Sequence, residues 1–397
     1  MWRERRLTLL PQCFWREIVV MCRRTEPLSK TVTIGVVGGY GATGRAVVSE
    51  LAKSRDSDIL IGGRDLAKAK AVAAEFGTRV ATARLDVVDA RSMDDFCSCC
   101  SIIVNTAGPV TILQDRVAQA AFHRHCHYVD AAGMAVVKER IAPHSQEIAA
   151  LGLSFVISAG WTPGLTELLP VYAYSQAKGR MDSIESVSAY SSDSGEWSEN
   201  ALRDGVAYIR QTGLSKPGYF RTGEWVRATA SAASRKVDLG DPIGRRRFSL
   251  FTMPELSEVG RRLTDCDFLS YAYLSGLRNA AAFVMLALVP LPEQTSIRLL
   301  RNMFRRNRLS VTGFVVVHVV GRSAGRRVVL KARITFEAGR DYWMNGVALA
   351  TVARMISQGQ GVERGVHFLA SAVNPVAFVA ELQKSGVELT ESFERGE

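Results

Sequence analysis

Seven residues, Gly38-Gly-Tyr-Gly-Ala-Thr-Gly44, restrict this chain more than any other stretch. They follow Thr31–Val37, a near-continuous aliphatic run of the kind buried on both faces of a parallel sheet. They open into Arg45–Ser54, where Ala46, Val47, Leu51 and Ala52 share one helical face. Strand, glycine turn and helix in that order make a cradle for a dinucleotide pyrophosphate, because backbone N–H groups and the positive end of the helix meet the anion there. A Cβ at Gly39 or Gly41 would obstruct the turn or the approach, and Gly44 lets helix and strand pack closely. Gly38, Gly39, Tyr40, Gly41, Ala42, Thr43 and Gly44 are therefore expected to contact a cofactor.

Short β-rich runs continue to alternate with helical ones. Strands are expected at Asp58–Gly62, Arg79–Asp86, Ser101–Gly108, His127–Asp130 and Leu153–Ala159, with a helix at Asp65–Phe76. This alternation predicts an α/β fold: a Rossmann doubly wound parallel sheet. The second strand ends Ile61-Gly-Gly-Arg64-Asp65, where an NAD site carries an acid. The Arg64 guanidinium instead suits a ribose 2′-phosphate, with Gly62 and Gly63 leaving room, and Asp65 reads as the cap of the next helix. NADP is the expected cofactor. Asp86 and Val87, ending the third strand, fall beside the adenine position. Asn105, Thr106, Ala107 and Gly108, ending the fourth, pass the nicotinamide ribose.

The 397 residues include 50 Lys+Arg against 39 Asp+Glu, a formal charge of +11. The hydrophobic and charged fractions exclude collagen-like, disordered and disulfide-dense classes. The basic excess is local, in residues 1–24 and in Arg298, Arg301, Arg305, Arg306 and Arg308. No stacking pattern of aromatics accompanies it, so nucleic acid is not expected as a partner. Seven cysteines, an odd number, point to reduced thiols and a cytoplasmic location. Charges interrupt both apolar runs near the N-terminus, so residues 1–29 read as a poorly packed extension rather than a signal peptide. Deleting residues 1–20 is expected to leave cofactor affinity unchanged.

Length predicts more than one domain. Residues 30–160 form the NADP-binding Rossmann domain. Residues 161–340 form a second α+β domain on a mixed sheet, for substrate and dimerisation, and residues 341–397 return to the Rossmann side. Strand candidates in the second domain are Ile184–Ser191, Arg247–Phe251, Leu309–Val320 and Arg327–Glu337, the last two flanking a hairpin loop at Gly321–Gly325. The apolar run Asn279–Pro292 is too short for a bilayer, which needs about 20 residues. With the basic amphipathic segment after it, 279–308 could meet a membrane surface, a carrier or a neighbouring subunit, although a buried helix and its partner explain it as well. The expected partners are a small-molecule substrate and a second copy in a homodimer.

With Gly38–Gly44, Asn105-Thr-Ala-Gly-Pro109, His127-Tyr-Val-Asp-Ala-Ala-Gly133 and Ala159-Gly-Trp-Thr-Pro-Gly164 in order, the sequence resembles the saccharopine dehydrogenase family of NADP-binding oxidoreductases. The resemblance spans about residues 31–175 and implies a substrate cleft between the carboxyl edge of the sheet and the residues after Trp161. Where the family carries a Glu after the Tyr-x-Asp-x-x-Gly run, this chain has Met134, a departure that bears on amino-acid substrates.

Hydride transfer to an imine or carbonyl needs a proton source. Tyr128 could donate it and Asp130 could orient substrate or water; equally, Tyr128 could pack and Asp130 cap the next segment. Backbone N–H groups of Trp161, Thr162 and Gly164 are expected to line the pocket. His123, His125 and His127 need not converge, so no metal is expected. Tyr174-Ser-Gln-Ala-Lys178 has the Tyr-x-x-x-Lys spacing of short-chain reductases, but Trp161 stands where their serine would be, and the spacing reads as coincidence. The expected activity is an NADP(H)-dependent reduction of an imine or carbonyl. The alternatives are an enoyl reductase on a lipid or polyketide chain, or an NADP-sensing protein without turnover.

Overall fold

A computed structural model describes residues 32–193, 197–212, 217–229, 232–273, 276–307 and 312–395. The segment 1–29, with Cys13 and Cys22, and also Arg308, lie outside the described residues.

The first sheet is parallel throughout. Its strands β1 (Val32–Val37), β2 (Ser57–Gly63), β3 (Val80–Arg84), β4 (Ile102–Asn105), β5 (His127–Asp130) and β6 (Ser154–Ile157) are linked by helices. These are α1 (Ala42–Ala52), α2 (Leu66–Ala74), α3 (Ala90–Ser98), α4 (Val110–Leu113), α5 (Arg116–His123), α6 (Met134–Ile141) and α7 (Ser145–Ala150). The spatial order β6-β5-β4-β1-β2-β3 reverses between β4 and β1, which opens a crevice at their carboxyl ends. Ile34 and Val36 are fully buried, as an aliphatic strand covered on both faces must be.

Helix α8 (Leu165–Lys178) leads into the second domain: β7 (Ser183–Ser192), α9 (Glu199–Thr212), β8 (Gly218–Arg221), β9 (Glu224–Arg227), β10 (Ser234–Asp238), β11 (Arg245–Leu250), α10 (Pro254–Arg262), β12 (Asp267–Tyr273), α11 (Gly276–Leu288), α12 (Glu293–Asn307), β13 (Thr312–Ser323) and β14 (Arg326–Glu337). Its sheet is mixed, with β12 and β7 parallel and β7, β13 and β14 antiparallel. Val315, Val317 and Val319 alternate onto the face under α8, while Phe314 and Val316 on the opposite face are buried against Tyr190 and Phe248, so this part of β13 is covered on both sides. The hairpin loop is tighter than the sequence indicated. Pairing runs to Ser323 and resumes at Arg326, leaving Ala324-Gly325, both at positive φ (50° and 75°), the geometry a two-residue hairpin turn requires.

The C-terminal segment serves both sheets. Helix α13 (Asp341–Ser357) lies along α1 so closely that a Cβ on Gly346 would stand 2.4 Å from that of Ala46. Trp343 Nε1 donates to the buried Glu50 of α1 at 3.2 Å. Strand β15 (Gly365–Phe368) adds to β6, followed by α14 (Leu369–Ala372) and α15 (Pro375–Lys384). Strand β16 (Leu389–Arg395) turns away from the Rossmann side and pairs with β14 at the edge of the second sheet. Its alternation is too polar to mark a strand by sequence, and only the partner's open edge defines it.

Helices α9, α11 and α12 pack into a cap with its own core of Leu202, Val206, Ile209, Ala282, Leu286, Ile297, Leu300 and Met303. The cap is tied to the nucleotide side. Asn200 Nδ2 donates to the Gly108 carbonyl at 3.0 Å, and the Asp204 carboxylate accepts from the N–H groups of Val110 and Thr111 at 2.9 and 3.0 Å. Asp204 thus caps the one-turn helix α4 from the other domain.

Candidate active site at the carboxyl edge of the first sheet

The glycine turn delivers an uncapped helix N-terminus into the crevice. Gly41, the N-cap of α1, offers no side chain, and no acid occupies the first turn. Its N–H groups are therefore left for an anion. Gly38 takes φ 77°, and its N–H donates to the Gly62 carbonyl at 2.8 Å. A Cβ on Gly44 would fall 2.3 Å from the Gly38 carbonyl oxygen and 2.6 Å from Gly39 Cα. One on Gly39 would meet Ile61 at 2.9 Å, whereas one on Gly41 would meet only the Gly38 oxygen at 3.2 Å. Gly39 and Gly44 thus serve the turn's own packing, while Gly41 and Ala42 are exposed on the open side and Thr43 is half-buried.

Arg64, the residue after β2, is exposed, with no hydrogen bond or ion pair among the described residues. Asp65 caps α2, accepting from Lys68 N at 3.1 Å. The role assigned to Gly62 and Gly63 needs correction. A Cβ on Gly62 would strike Leu85 and Phe96 at 2.6 and 2.7 Å, and one on Gly63 the Tyr40 ring at 2.2 Å, so both glycines make room for side chains rather than for a phosphate. A second exposed guanidinium escaped the sequence reading: Arg84 ends β3 in register with Gly63. Asp86 and Val87 lie beyond the end of β3, and Asp86 Oδ1 accepts from Val88 N at 3.1 Å. Losing a charge-assisted contact costs roughly 1.5–3 kcal/mol. Arg64→Ala is accordingly expected to weaken NADP binding by about ten- to a hundredfold and to leave NAD unchanged in calorimetry; equal losses for both would remove the 2′-phosphate assignment.

At the end of β4, the Asn105 side chain is spent on the loop itself. Its Nδ2 donates to the Tyr128 hydroxyl at 3.1 Å and its Oδ1 accepts from Ala107 N at 3.0 Å. Thr106 Oγ1 donates to the Val37 carbonyl at 2.8 Å, tying this loop to the glycine turn. Gly108 presents its carbonyl to Asn200. Tyr128 is wholly buried, and burial pushes its hydroxyl well above the usual range. It packs behind Asn105 instead of facing a cleft as a proton donor, which corrects the catalytic reading.

Asp130 keeps both of its readings. Its Oδ1 accepts from Gly133 N at 2.6 Å and Ser158 N at 2.9 Å, which caps the segment after β5. Its Oδ2 is buried with no well-formed hydrogen bond among the described residues, and the Tyr128 hydroxyl lies within reach of the carboxylate. Burial raises the carboxyl to about 6 against those bonds. Two residues at left-handed φ flank it: Met134 (52°) and Ser158 (57°), strained positions of the kind that cluster at functional sites. Met134 N donates to Ser158 Oγ at 2.9 Å, and Ser158 Oγ donates to Glu255 Oε1 at 2.8 Å. Burial raises Glu255 to about 7, and its Oε2 also has no well-formed hydrogen bond among the described residues. Behind it Glu167 is raised to about 8 by burial and by Glu255. Sequence reasoning missed both glutamates, which read locally as ordinary acids in the first turns of α10 and α8.

The loop after β6 is another correction. Trp161 is 2% exposed; its N–H donates to Asn345 Oδ1 at 2.6 Å and its Nε1 to Asp193 Oδ1 at 2.9 Å. Gly164, at φ 137°, donates its N–H to Glu167. These two N–H groups are consumed inside the loop and do not line a pocket. Thr162 is half-buried beside Asp193, whose carboxyl burial and Asp341 raise to about 7. Tyr174 and Lys178 both bind Asp265, at 2.6 and 3.1 Å, near the far end of α8, and take no part in this edge. His127 is held down to about 4 by burial, and its Nδ1 accepts from Ser154 N.

Residues 34–154 match the family described as the saccharopine dehydrogenase NADP binding domain. The chain is similar in fold to the L-Glu-forming saccharopine dehydrogenase of Saccharomyces cerevisiae, at TM-score 0.65 and 13% identity over 91% of this chain and 99% of that one. A dehydrogenase from Clostridium difficile aligns at TM-score 0.42 and 10% identity over 89% and 98%. No curated protein sequence gives a significant match. The uncapped N-terminus of α1, the open side at Gly41 and the unpaired Arg64 fit a phosphorylated dinucleotide. Residues 34–154, on the Rossmann sheet, thus match the saccharopine dehydrogenase NADP binding domain.

Proposed function

We propose that the protein is an NADP(H)-dependent oxidoreductase that reduces an imine or carbonyl of a small metabolite. One observation carries this reading: Asp130, a buried carboxyl whose Oδ2 has no well-formed hydrogen bond among the described residues, stands at the end of β5 beside the Tyr128 hydroxyl, one strand from the loop that closes the nucleotide crevice. When bound, NADPH supplies the hydride. Asp130, raised to about 6 by burial, is protonated in a minor fraction of molecules at neutral pH, and in that form it can pass a proton to a nitrogen or oxygen that gains electron density. Gly133 N and Ser158 N fix the carboxyl's direction, and Asn105 fixes the loop beside it.

The test is NADPH absorbance against a panel of imines, ketones and enoyl thioesters, with Asp130→Asn alongside. The expected result is oxidation with an imine or ketone, reduced about a hundredfold or more by the substitution, with NADPH affinity unchanged. Oxidation confined to enoyl thioesters would favour the second reading, a lipid or polyketide enoyl reductase, which rests on the exposed Val284, Met285, Leu288 and Val289 of the cap. NADPH binding without any oxidation would instead indicate a sensor.

A further inference from the structure

The cap carries a surface that the cofactor site does not explain. Val284, Met285, Leu288 and Val289 are 41%, 41%, 62% and 43% exposed, packed into six consecutive positions at the end of α11. Such clustering differs from the scattered apolar residues of an ordinary surface. Helix α11 packs against α9 and α12 through Ala282 and Leu286, so its outer side has no covering element among the described residues.

The neighbouring charge has one sign. Residues 276–307 contain Arg278, Arg298, Arg301, Arg305 and Arg306 and a single acid, Glu293, which is paired with Arg203. Arg298 is exposed and Arg301 half-buried, and neither has an acidic partner among the described residues. Exposed apolar side chains on α11, together with Arg298 and Arg301 on the α12 packed against it, complement an anionic lipid surface, where the former enter the acyl boundary and the latter meet headgroup phosphates. An acidic protein would answer the charge, but not a row of aliphatic side chains left in water. No described helix is long and apolar enough to cross a membrane, which leaves contact with one face.

We propose that the α11–α12 hairpin docks the protein peripherally on an anionic bilayer. Co-sedimentation of the full chain with vesicles tests this, comparing pure phosphatidylcholine with a mixture one-third phosphatidylglycerol. Binding is expected to the anionic vesicles only, and to fall as salt is raised. The Arg298→Gln/Arg301→Gln pair should weaken it about tenfold or more. Leu288→Ser/Met285→Ser should weaken it comparably, with NADP affinity unchanged as the check on folding. No binding to anionic vesicles at low salt, or equal binding by both double variants, would overturn the proposal. So would a self-association abolished by Leu288→Ser in the absence of lipid binding, which would assign the patch to a second copy of the chain.

Discussion

Gly44→Ala is expected to reduce NADP(H) affinity by at least about a hundredfold, read by calorimetry, with a clear fall in melting temperature. The added carbon would lie 2.3 Å from a backbone oxygen, 2.6 Å from a backbone Cα and 2.8 Å from Thr106 Oγ1. Backbone cannot swing aside like the end of a long side chain, so the turn and the first turn of α1 must separate. Overpacking of this kind costs roughly 1–3 kcal/mol or more, and the whole cost falls on the geometry that presents N–H groups to the pyrophosphate. Gly41→Ala is the informative contrast. Its Cβ would meet only the Gly38 oxygen at 3.2 Å, so the fold should hold its melting temperature while affinity falls because the methyl faces the cofactor side. Loss in the first variant and retained fold in the second separate the glycine that builds the cradle from the one that leaves it open. Full NADPH affinity in Gly44→Ala would show that the cofactor does not sit on this turn.

The cradle was legible because every determinant is local. An aliphatic run, a glycine at φ 77° and a small-residue helix face lie within some twenty consecutive residues, and their meaning does not depend on distant partners. The carboxyl edge was only half legible. Asp130 could be named from its strand end, but the pairing of Ser158 with Glu255 joins residues 97 apart in sequence. Tyr128 and Trp161 were misread for a related reason. An aromatic residue at a strand end looks like a cleft residue until the structure shows where its polar atom goes, and Asn105 and Asp193 take those atoms. Strand β16 shows the same limit in the fold. Its sequence, Leu389–Arg395, is polar and largely exposed, and the open edge of β14 makes it a strand.

The buried carboxyls predict an unusual dependence of stability on pH. Asp130, Glu255 and Glu167 are each 2% exposed and are raised to about 6, 7 and 8, burial being the first cause in every case. The nearby cation, Lys138, is committed to Glu258. A group whose folded pKa lies above its unfolded value binds more protons in the folded state, so its stabilising contribution is lost as pH rises through the folded pKa. Between about pH 5 and 8.5 the protein without cofactor should therefore become less stable, with His127 and His318, held down to about 4 by burial, acting in the opposite sense below about pH 6.5 and offsetting part of the loss there. The carboxylates held low, such as Asp94 and Glu258, act in the opposite sense only below about pH 4.5 and leave this window untouched. Glu167 contributes most: ionising a carboxyl whose pKa moves from about 4.5 to about 8 costs roughly 3–5 kcal/mol. Glu167→Gln keeps an oxygen to accept from Gly164 N and removes the titration. Its melting temperature should exceed that of the native chain by several degrees at pH 8.5, with a much smaller difference at pH 5.5. Thermal melts across that range decide the matter: a native profile that is flat or rises toward pH 8.5 would mean that these carboxyls are ionised in the folded protein, and Asp130 could then hold no proton for a substrate at neutral pH.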